Sequence, residues 1–172
     1  MAGVVPDEAP EGGWLDREQL AVWMRFAAVL ELLPAALDAQ LRRDAGLTHF
    51  DYYVLAMLAE AQERTLRMTD LARRTNATPP RLSHVMKRLE ARGLVRRIPC
   101  PEDRRATDAQ LTDVGWARLV AAAPGHVSFV RHHVIDALTP EQLTQLAAIA
   151  DAVLQRVDPE GAFAELGRHE TA

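Results

Sequence analysis

The stretch from Thr78 to Gly93 constrains the fold of this chain more than any other part of its sequence. Apolar residues recur there at positions i, i+3, i+4 and i+7, the spacing of one buried stripe on a helix. These residues are Leu82, Val85, Met86 and Leu89. Pro79 suits the first position of a helix, and Gly93 suits the left-handed residue that ends one. The sequence therefore predicts an amphipathic helix from Pro79 to about Arg92.

The side of this helix opposite the stripe consists of hydrogen-bond donors and cations. It displays Pro80, His84 and Lys87, flanked by Arg81, Ser83 and Arg88. Surface helices often carry basic residues for solubility alone, so this face does not define a function by itself. Its position between two other recognisable segments gives it weight.

Those segments are a short helix before it and a hairpin after it. Thr69 can cap the short helix, and Asn76 lies in the turn that follows. Two strands are expected at Leu94–Ile98 and Thr107–Leu111, joined by the polar loop Pro99–Ala106. Helix, turn, helix and hairpin is the order of a winged helix-turn-helix.

Helices are predicted on both sides of this region. A long helix from about Asp16 to Arg43 is expected to bend near Pro34, and Thr48 opens a second helix. After the hairpin, one helix is expected at about 113–138, with a break or kink at Pro124-Gly125, and another at about 140–157.

Charge is distributed unevenly along the chain, although its net charge is −4. Between Arg64 and Arg105 there are twelve Arg or Lys against four acids, which gives +8 there and leaves −12 elsewhere. Such a basic segment could release counterions from phosphates, although a solvated surface has the same composition. There is no apolar run of about 18 residues and no basic start before an apolar stretch, so a soluble cytoplasmic protein is expected.

The predicted roles of the basic residues follow from their reach. The candidate DNA-binding residues are Thr78, Pro80, Arg81, Ser83, His84, Lys87, Arg88, Arg92, Arg104 and Arg105. Side chains near the helix start can meet base edges in a major groove, whereas Arg88 and Arg92 lie further back, where phosphate contact is expected. Arg104 and Arg105 at the loop tip could enter a minor groove, with Asp103 in an internal ion pair as wing support.

At this point the residues resemble the MarR (multiple-antibiotic-resistance regulator) family. The resemblance is carried by Leu89-Glu90-Ala91-Arg92-Gly93-Leu94-Val95-Arg96-Arg97, Asp103-Arg104-Arg105-Ala106-Thr107 and Leu111-Thr112-Asp113-Val114-Gly115. It covers about residues 20 to 157, and Asp103 with Arg105 is its most specific part. The second wing strand departs from the family, which tends to place larger apolar residues there.

The resemblance implies a mainly α fold with a small β-wing, in which N- and C-terminal dimerisation helices join a winged helix-turn-helix. The expected boundaries are a tail at 1–14, one domain at 15–160 with the winged helix at 48–112 and dimerisation helices at 15–45 and 113–157, and a tail at 161–172. It also implies a homodimer on double-stranded DNA, with the Pro79 helix in the major groove. The family's members are repressors, less often activators, whose DNA affinity is commonly lowered by a small aromatic or phenolic ligand.

Effectors of the family bind between the long helices and the DNA-binding lobe, so Trp23, His49 and Tyr52 are candidate ligand-binding residues. Aromatic residues at helical spacing are more often core. No cofactor is expected.

Other functional hypotheses rest on weaker patterns. Cys100 could be an exposed redox thiol near arginines, but the sequence offers no second cysteine to resolve it. His126, His132 and His133 could suggest a metal site, but His132 and His133 are adjacent and cannot share one helix face, and no acids at evident spacing complete a four-ligand set. No catalytic motif or site is identified. Another winged-helix family with a different dimer arm, or a helical protein-interaction module without specific DNA binding, remain the alternatives.

Overall fold

The computed structural model describes residues 13–100, 103, 105–159 and 161, which form helices and three short strands. The helices are α1 (Arg17–Ala45), α2 (His49–Glu60), α3 (Met68–Arg74), α4 (Pro79–Ala91), α5 (Asp113–Val130) and α6 (Pro140–Val157). The strands are β1 (Thr65–Arg67), β2 (Val95–Pro99) and β3 (Thr107–Leu111). The predicted fold class, mainly helical with a small β-wing, is confirmed.

The chain divides inside α1 into two compact units, the first ending at Ala36 and the second beginning at Leu37. In its described part, the first unit consists of the N-terminal portion of α1 and the residues just before it. Pro34 lies within this helix, which continues past it to Ala45. The second unit contains the elements from α2 to α6.

The core of the second unit is built by the short helices and the sheet. The stripe predicted for α4 is confirmed, because all four of its apolar side chains are buried. They pack in one cluster with residues of α2, α3, β2 and β3, among them Leu55, Leu58, Leu71 and Ala109. The stripe thus fixes which side of α4 faces outward.

The ends of the two short helices differ in how well the sequence predicts them. Pro79 opens α4 and Gly93 follows it with a φ of +68°, as expected. The predicted cap of α3 at Thr69 is wrong: the helix begins at Met68, and its capping residue, Arg67, makes no side-chain cap hydrogen bond. Asn76 adopts a φ of +47° in the turn between the helices.

The wing belongs to a three-stranded antiparallel sheet rather than to a two-stranded hairpin alone. Its strand order is β1-β3-β2, so β3 lies in the middle. In the register, Ala109 of β3 faces Leu66 of β1 on one side and Arg97 of β2 on the other. β1 was not predicted, because a three-residue strand gives no alternating pattern. It follows a turn in which Glu63 and Arg64 both have positive φ.

Of the break or kink predicted at Pro124-Gly125, the break is wrong, because α5 continues through both residues to Val130. A proline removes only one backbone donor, and neighbouring contacts can outweigh that loss. Packing at Gly125 does not require a glycine, because a Cβ there would make only an ordinary contact, 3.5 Å from Nε2 of Gln40 near the end of α1. The helix becomes irregular later, in a π-type turn at Arg131–Ile135.

Candidate nucleic-acid interface

The outward face of α4 presents most of the residues predicted to contact DNA. Thr78, Pro80, Arg81, Ser83, His84, Lys87 and Arg92 are exposed, and Arg88 is half-buried. His84 and Lys87 form no hydrogen bond, ion pair or ring contact with another described residue. They therefore remain available to a ligand.

Arg88 has an internal partner that the sequence did not reveal. Its Nη2 lies against Oδ1 of Asp51 in an ion pair, while the Asp51 side chain is only 2% exposed. The Asp51 carboxylate also accepts from the backbone N–H of Thr48 at 3.0 Å, and the backbone N–H of Asp51 donates to Thr48 Oγ1 at 2.9 Å; together these bonds form a capping box. A buried carboxylate needs such partners to offset its lost hydration. Arg88 thus ties α4 to the start of α2.

Two further arginines of this region are also held on the α2 side. The guanidinium carbon of Arg81 lies 4.2 Å from the centre of the Phe50 ring, which is a cation–π distance. Nη1 of Arg92 donates to the carbonyl oxygen of Gly46 at 3.1 Å, in the turn between α1 and α2. Neither contact follows from the local sequence.

On its other side, α4 is joined to the wing by Glu90. Its carboxylate accepts from the backbone N–H of Arg97 at 2.9 Å and lies 2.6 Å from Nη2 of the same residue. The side-chain hydrogen bond from Arg97 is the main cause that lowers the pKa of Glu90, against the opposing effect of its partial burial. This pair fixes β2 relative to α4.

The wing turn is closed by Asp103. Its Oδ1 accepts from the backbone N–H of Arg105 at 3.0 Å, and its carbonyl oxygen accepts from the N–H of Ala106 at 2.9 Å. Asp103 therefore supports the wing turn through the backbone of Arg105, while its predicted ion pair with an arginine side chain stays a prediction. The Arg105 residue is exposed, and Arg104 lies outside the described residues.

A cleft of about 500 Å³ lies between the start of α4 and the wing. Its lining includes Ser83 from α4, Arg97 from β2, Arg105 from the wing and Arg67 from β1. The structure thus brings three predicted residues, Ser83, Asp103 and Arg105, together with Arg67 and Arg97, for which the sequence predicted no role. Their membership in the basic segment was the available signal.

Cys100 is buried at 6% exposure, which argues against the redox hypothesis, since that hypothesis requires an exposed thiol. Nη2 of Arg67 donates to its sulfur at 3.3 Å. This hydrogen bond is the main cause that raises the pKa of Arg67. The thiol therefore holds β1 to the base of the wing.

Two of the three candidate ligand-binding residues meet near the junction of α2 and α5. The Tyr52 and His126 rings are 4.4 Å apart, and those of His49 and His126 are 6.2 Å apart. Burial lowers the pKa of both histidines, and the charge of His49 lowers that of His126 further. Trp23 lies on α1 in the first unit and is exposed. In the described part of the chain, no group of three or more His, Cys, Asp or Glu side chains could hold a metal ion.

Large exposed apolar side chains occur in two parts of the described chain only. One set lies at residues 14–32, before and along α1, and includes Trp23, Phe26 and Leu30. The other lies between Val114 and Val157, and on α6 it forms a stripe. The members of this stripe are Leu146, Ile149, Val153 and Val157. By length and composition alone α1 could also cross a membrane, a criterion that core helices and signal sequences meet as well.

A family model described as MarR family matches residues 45–106. Sco3205, a MarR family transcriptional regulator of Streptomyces coelicolor whose crystal structure was determined with DNA, is 46% identical. The match covers 85% of this chain and 95% of that chain, with a TM-score of 0.82. This chain belongs to the MarR family of transcriptional regulators.

Other relatives agree with this membership. AbsC, a MarR family transcriptional regulator also from Streptomyces coelicolor, is 38% identical over 86% of this chain and 97% of its own, with a TM-score of 0.78. The transcriptional repressor YetL of Bacillus subtilis is 35% identical, but the match spans only 48% of this chain and half of YetL. The resemblance read from the sequence is confirmed, and the family is one of regulators rather than enzymes.

Proposed function

We propose that this protein is a sequence-specific DNA-binding repressor that occupies a pseudo-palindromic operator as a homodimer. The observation that carries the proposal is the cleft in which Ser83, near the start of α4, lies beside the wing residue Arg105, with Arg67 and Arg97 in the same lining. A relative that is 46% identical over nearly its whole length was crystallised with DNA, which supports the same partner here.

In this proposal α4 enters a major groove and the wing an adjacent minor groove. Ser83, His84 and Lys87 face the base edges, while Arg105, with Arg104, reaches into the minor groove. The Glu90–Arg97 pair supports this geometry, because it holds the wing at a fixed distance from α4. Two copies would contact half-sites about 34 Å apart, one helical turn of DNA.

The second copy is expected to cover the exposed apolar side chains. Dimers are typical of the family, and contiguous apolar stripes on a protein surface commonly mark interaction sites. We therefore assign residues 15–45 and 113–157 to dimerisation and 48–112 to the winged helix, within one domain at 15–160. A cytoplasmic location fits this function, since operator DNA lies in that compartment of a bacterium.

Release by a small aromatic ligand completes the proposal. His49 and Tyr52 support it, because their rings lie at the α2–α5 junction, where a bound molecule would disturb the lobe that carries α4. Trp23 stays a candidate from the sequence. A screen of aromatic acids and phenols for loss of operator binding tests this part.

The DNA-binding proposal is tested by titrating the protein into labelled duplexes. One duplex comes from the region upstream of the protein's own gene, and a shuffled duplex is the control. Arg105→Ala is expected to weaken operator binding about tenfold to a hundredfold and to reduce the slope of log affinity against log salt by about one. Arg131→Ala removes a similarly exposed arginine of the α5 end and serves as the matched control. Binding that appears only at very low salt, equal for every duplex, would instead support a protein-interaction module.

A further inference from the structure

One flank of α4 differs from the centre of its outward face, because its arginines are fixed by other elements. Arg81, Arg88 and Arg92 are spaced i, i+7 and i+11, so they project on the same side of the helix. Phe50 holds Arg81 and Asp51 holds Arg88, and both of these residues belong to α2. His84 and Lys87, by contrast, are unrestrained by any described polar or ring partner.

A fourth arginine joins this flank from the end of α1. Arg42 lines a groove of about 590 Å³ together with Phe50, Arg81, His84 and Arg88. Its Nε lies 2.5 Å from Oδ2 of Asp38, which also accepts from the backbone N–H of His49 at 2.9 Å. We call Arg42, Arg81, Arg88 and Arg92 the arginine ridge.

The holding contacts leave most of the ridge's donors free. A guanidinium has five N–H donors in a rigid fork, and one carboxylate or ring contact uses only part of them. The Arg42 side chain remains 61% exposed and that of Arg88 40% exposed. Side chains fixed in advance lose less freedom when they bind, which favours affinity.

The direction of the ridge separates it from base readout. Base edges are met by side chains that project freely from the helix face into the groove. Side chains turned sideways onto a neighbouring helix instead face the wall of the groove, which is the phosphate backbone. This applies to Arg81, which the sequence alone would assign to the bases.

Given the proposed DNA binding, the geometry points to two separate roles. The arginine ridge is a preorganised phosphate-binding surface, and His84 and Lys87 recognise the operator sequence. Phe50 and Asp51 are positioning residues, since they act on DNA through Arg81 and Arg88. Arg42, which lies outside the winged helix-turn-helix segment, becomes a DNA-backbone contact.

The decisive comparison is between two adjacent arginines of α1. Arg43 is as exposed as Arg42, at 66% against 61%, and also pairs with an aspartate, but it does not line the groove. Arg42→Ala is expected to weaken binding about tenfold on operator and shuffled duplex alike. Its salt slope should fall by about 0.9, the value for one phosphate. Arg43→Ala should leave affinity within about twofold and the slope unchanged.

The positioning role of Phe50 has its own readout. Phe50→Leu keeps the charge of Arg81 but removes the ring beneath it, so affinity should fall about threefold with an unchanged salt slope. Phe50→Tyr, which retains the aromatic face, should restore affinity. Arg81→Ala should lower the slope in the wild-type background and reduce affinity less in the Phe50→Leu background. Thermal unfolding of each variant confirms that it is folded.

The outcomes separate this inference from the function on which it rests. If wild type binds no duplex with preference, the proposed function itself fails. If wild type is specific but Arg42→Ala and Arg43→Ala behave alike, the ridge is overturned. The ridge is also overturned if Arg81→Ala abolishes the preference for operator over shuffled DNA while His84→Ala and Lys87→Ala leave it intact.

Discussion

The winged-helix lobe and the terminal helices differ in the exposure of their large apolar side chains. Between residues 33 and 113, no large apolar side chain among the described residues is exposed. Before and after that range exposed ones are frequent, from Trp14 to Leu32 and from Val114 to Val157. α6 has no buried residue at all. The lobe therefore stabilises itself, whereas the terminal helices present surface suited to burial against a second chain.

Charge is also distributed unevenly, although not along the same boundary. The segment from Arg64 to Arg105, which lies inside the lobe, carries +8, and the remainder of the chain carries −12. A basic segment of this kind attracts phosphates. Folding therefore resides in the lobe, where DNA affinity is also expected to reside in the main, and assembly is expected to reside in the terminal helices.

Truncating the core of the lobe should have the greatest effect on folding. Leu89 is fully buried in α4, so Leu89→Ala is expected to lower the free energy of unfolding by about 2–5 kcal/mol. Lys87→Ala, on the outward face of the same helix, should change it by less than about 0.5 kcal/mol. Urea denaturation measures both. Equal effects would mean that the α4 stripe does not carry the stability of the lobe.

A charge in the α6 stripe should break assembly rather than folding. Ile149 is 56% exposed in the single chain, and burying such a side chain contributes about 1.5–3 kcal/mol. With two copies per dimer, Ile149→Asp should raise the dimer dissociation constant about a hundredfold or more. Light scattering after size exclusion should then report a folded monomer.

The control for this substitution lies on the opposite side of the same helix. Gln155→Asp adds the same charge away from the stripe and should leave the dimer intact. A dimer that survived Ile149→Asp would place the interface elsewhere.

Removing the same kind of helix cap in each of the two regions should lower the free energy of unfolding by smaller amounts that differ between the regions. Thr48 and Thr139 each form a capping box, but the box of Thr48 includes Asp51, which also holds Arg88. Thr48→Ala should therefore lower the free energy of unfolding by about 1–2 kcal/mol, and Thr139→Ala by about 0.5–1 kcal/mol. Serine at either position keeps the cap and should restore stability. The reverse ranking would show that Asp51 adds nothing to the cap.

The least change is expected from pH between about 7.5 and 5, where the partly buried histidines titrate. Burial lowers the pKa of His49 and His126 in the folded state below that of the unfolded chain, near 6.5. The unfolded state then binds more protons below that pH, so stability is full above about 6.5 and falls as the solution is acidified. His126→Gln should flatten the melting temperature between about pH 7.5 and 5. His132→Gln replaces an exposed residue and should show the same dependence of melting temperature on pH as wild type. If His126→Gln also shows that dependence, burial of His126 does not cause it.

The parts of the molecule that the sequence predicted are those defined by local signals. α4 follows from its stripe, from Pro79 and from Gly93, all within a few turns of the chain. The same holds for α6, where Thr139 and Pro140 mark the start and the observed bounds match those expected. The wing strands differ from the prediction by at most one residue, although Asp108 is atypical of a strand.

The parts that the sequence missed depend on residues far apart along the chain. Arg88 could not be matched with Asp51, which lies 37 positions earlier, so its internal role was invisible. Burial of Cys100 likewise depends on packing that the residues flanking it in sequence do not reveal. At Pro124 a local signal existed but was outweighed by the packing around α5.

The placement of β3 between two partner strands has a consequence for how this molecule can change over evolutionary time. Five residue pairs with β2 and a bond from the Cys100 N–H to the Ala106 carbonyl fix both ends of the loop that follows Pro99. Extra residues inserted between these anchors would leave the sheet register unaltered, and doubling the loop would add only about 0.6 kcal/mol of closure entropy. The wing can therefore lengthen or shorten without any compensating change in the scaffold beneath it.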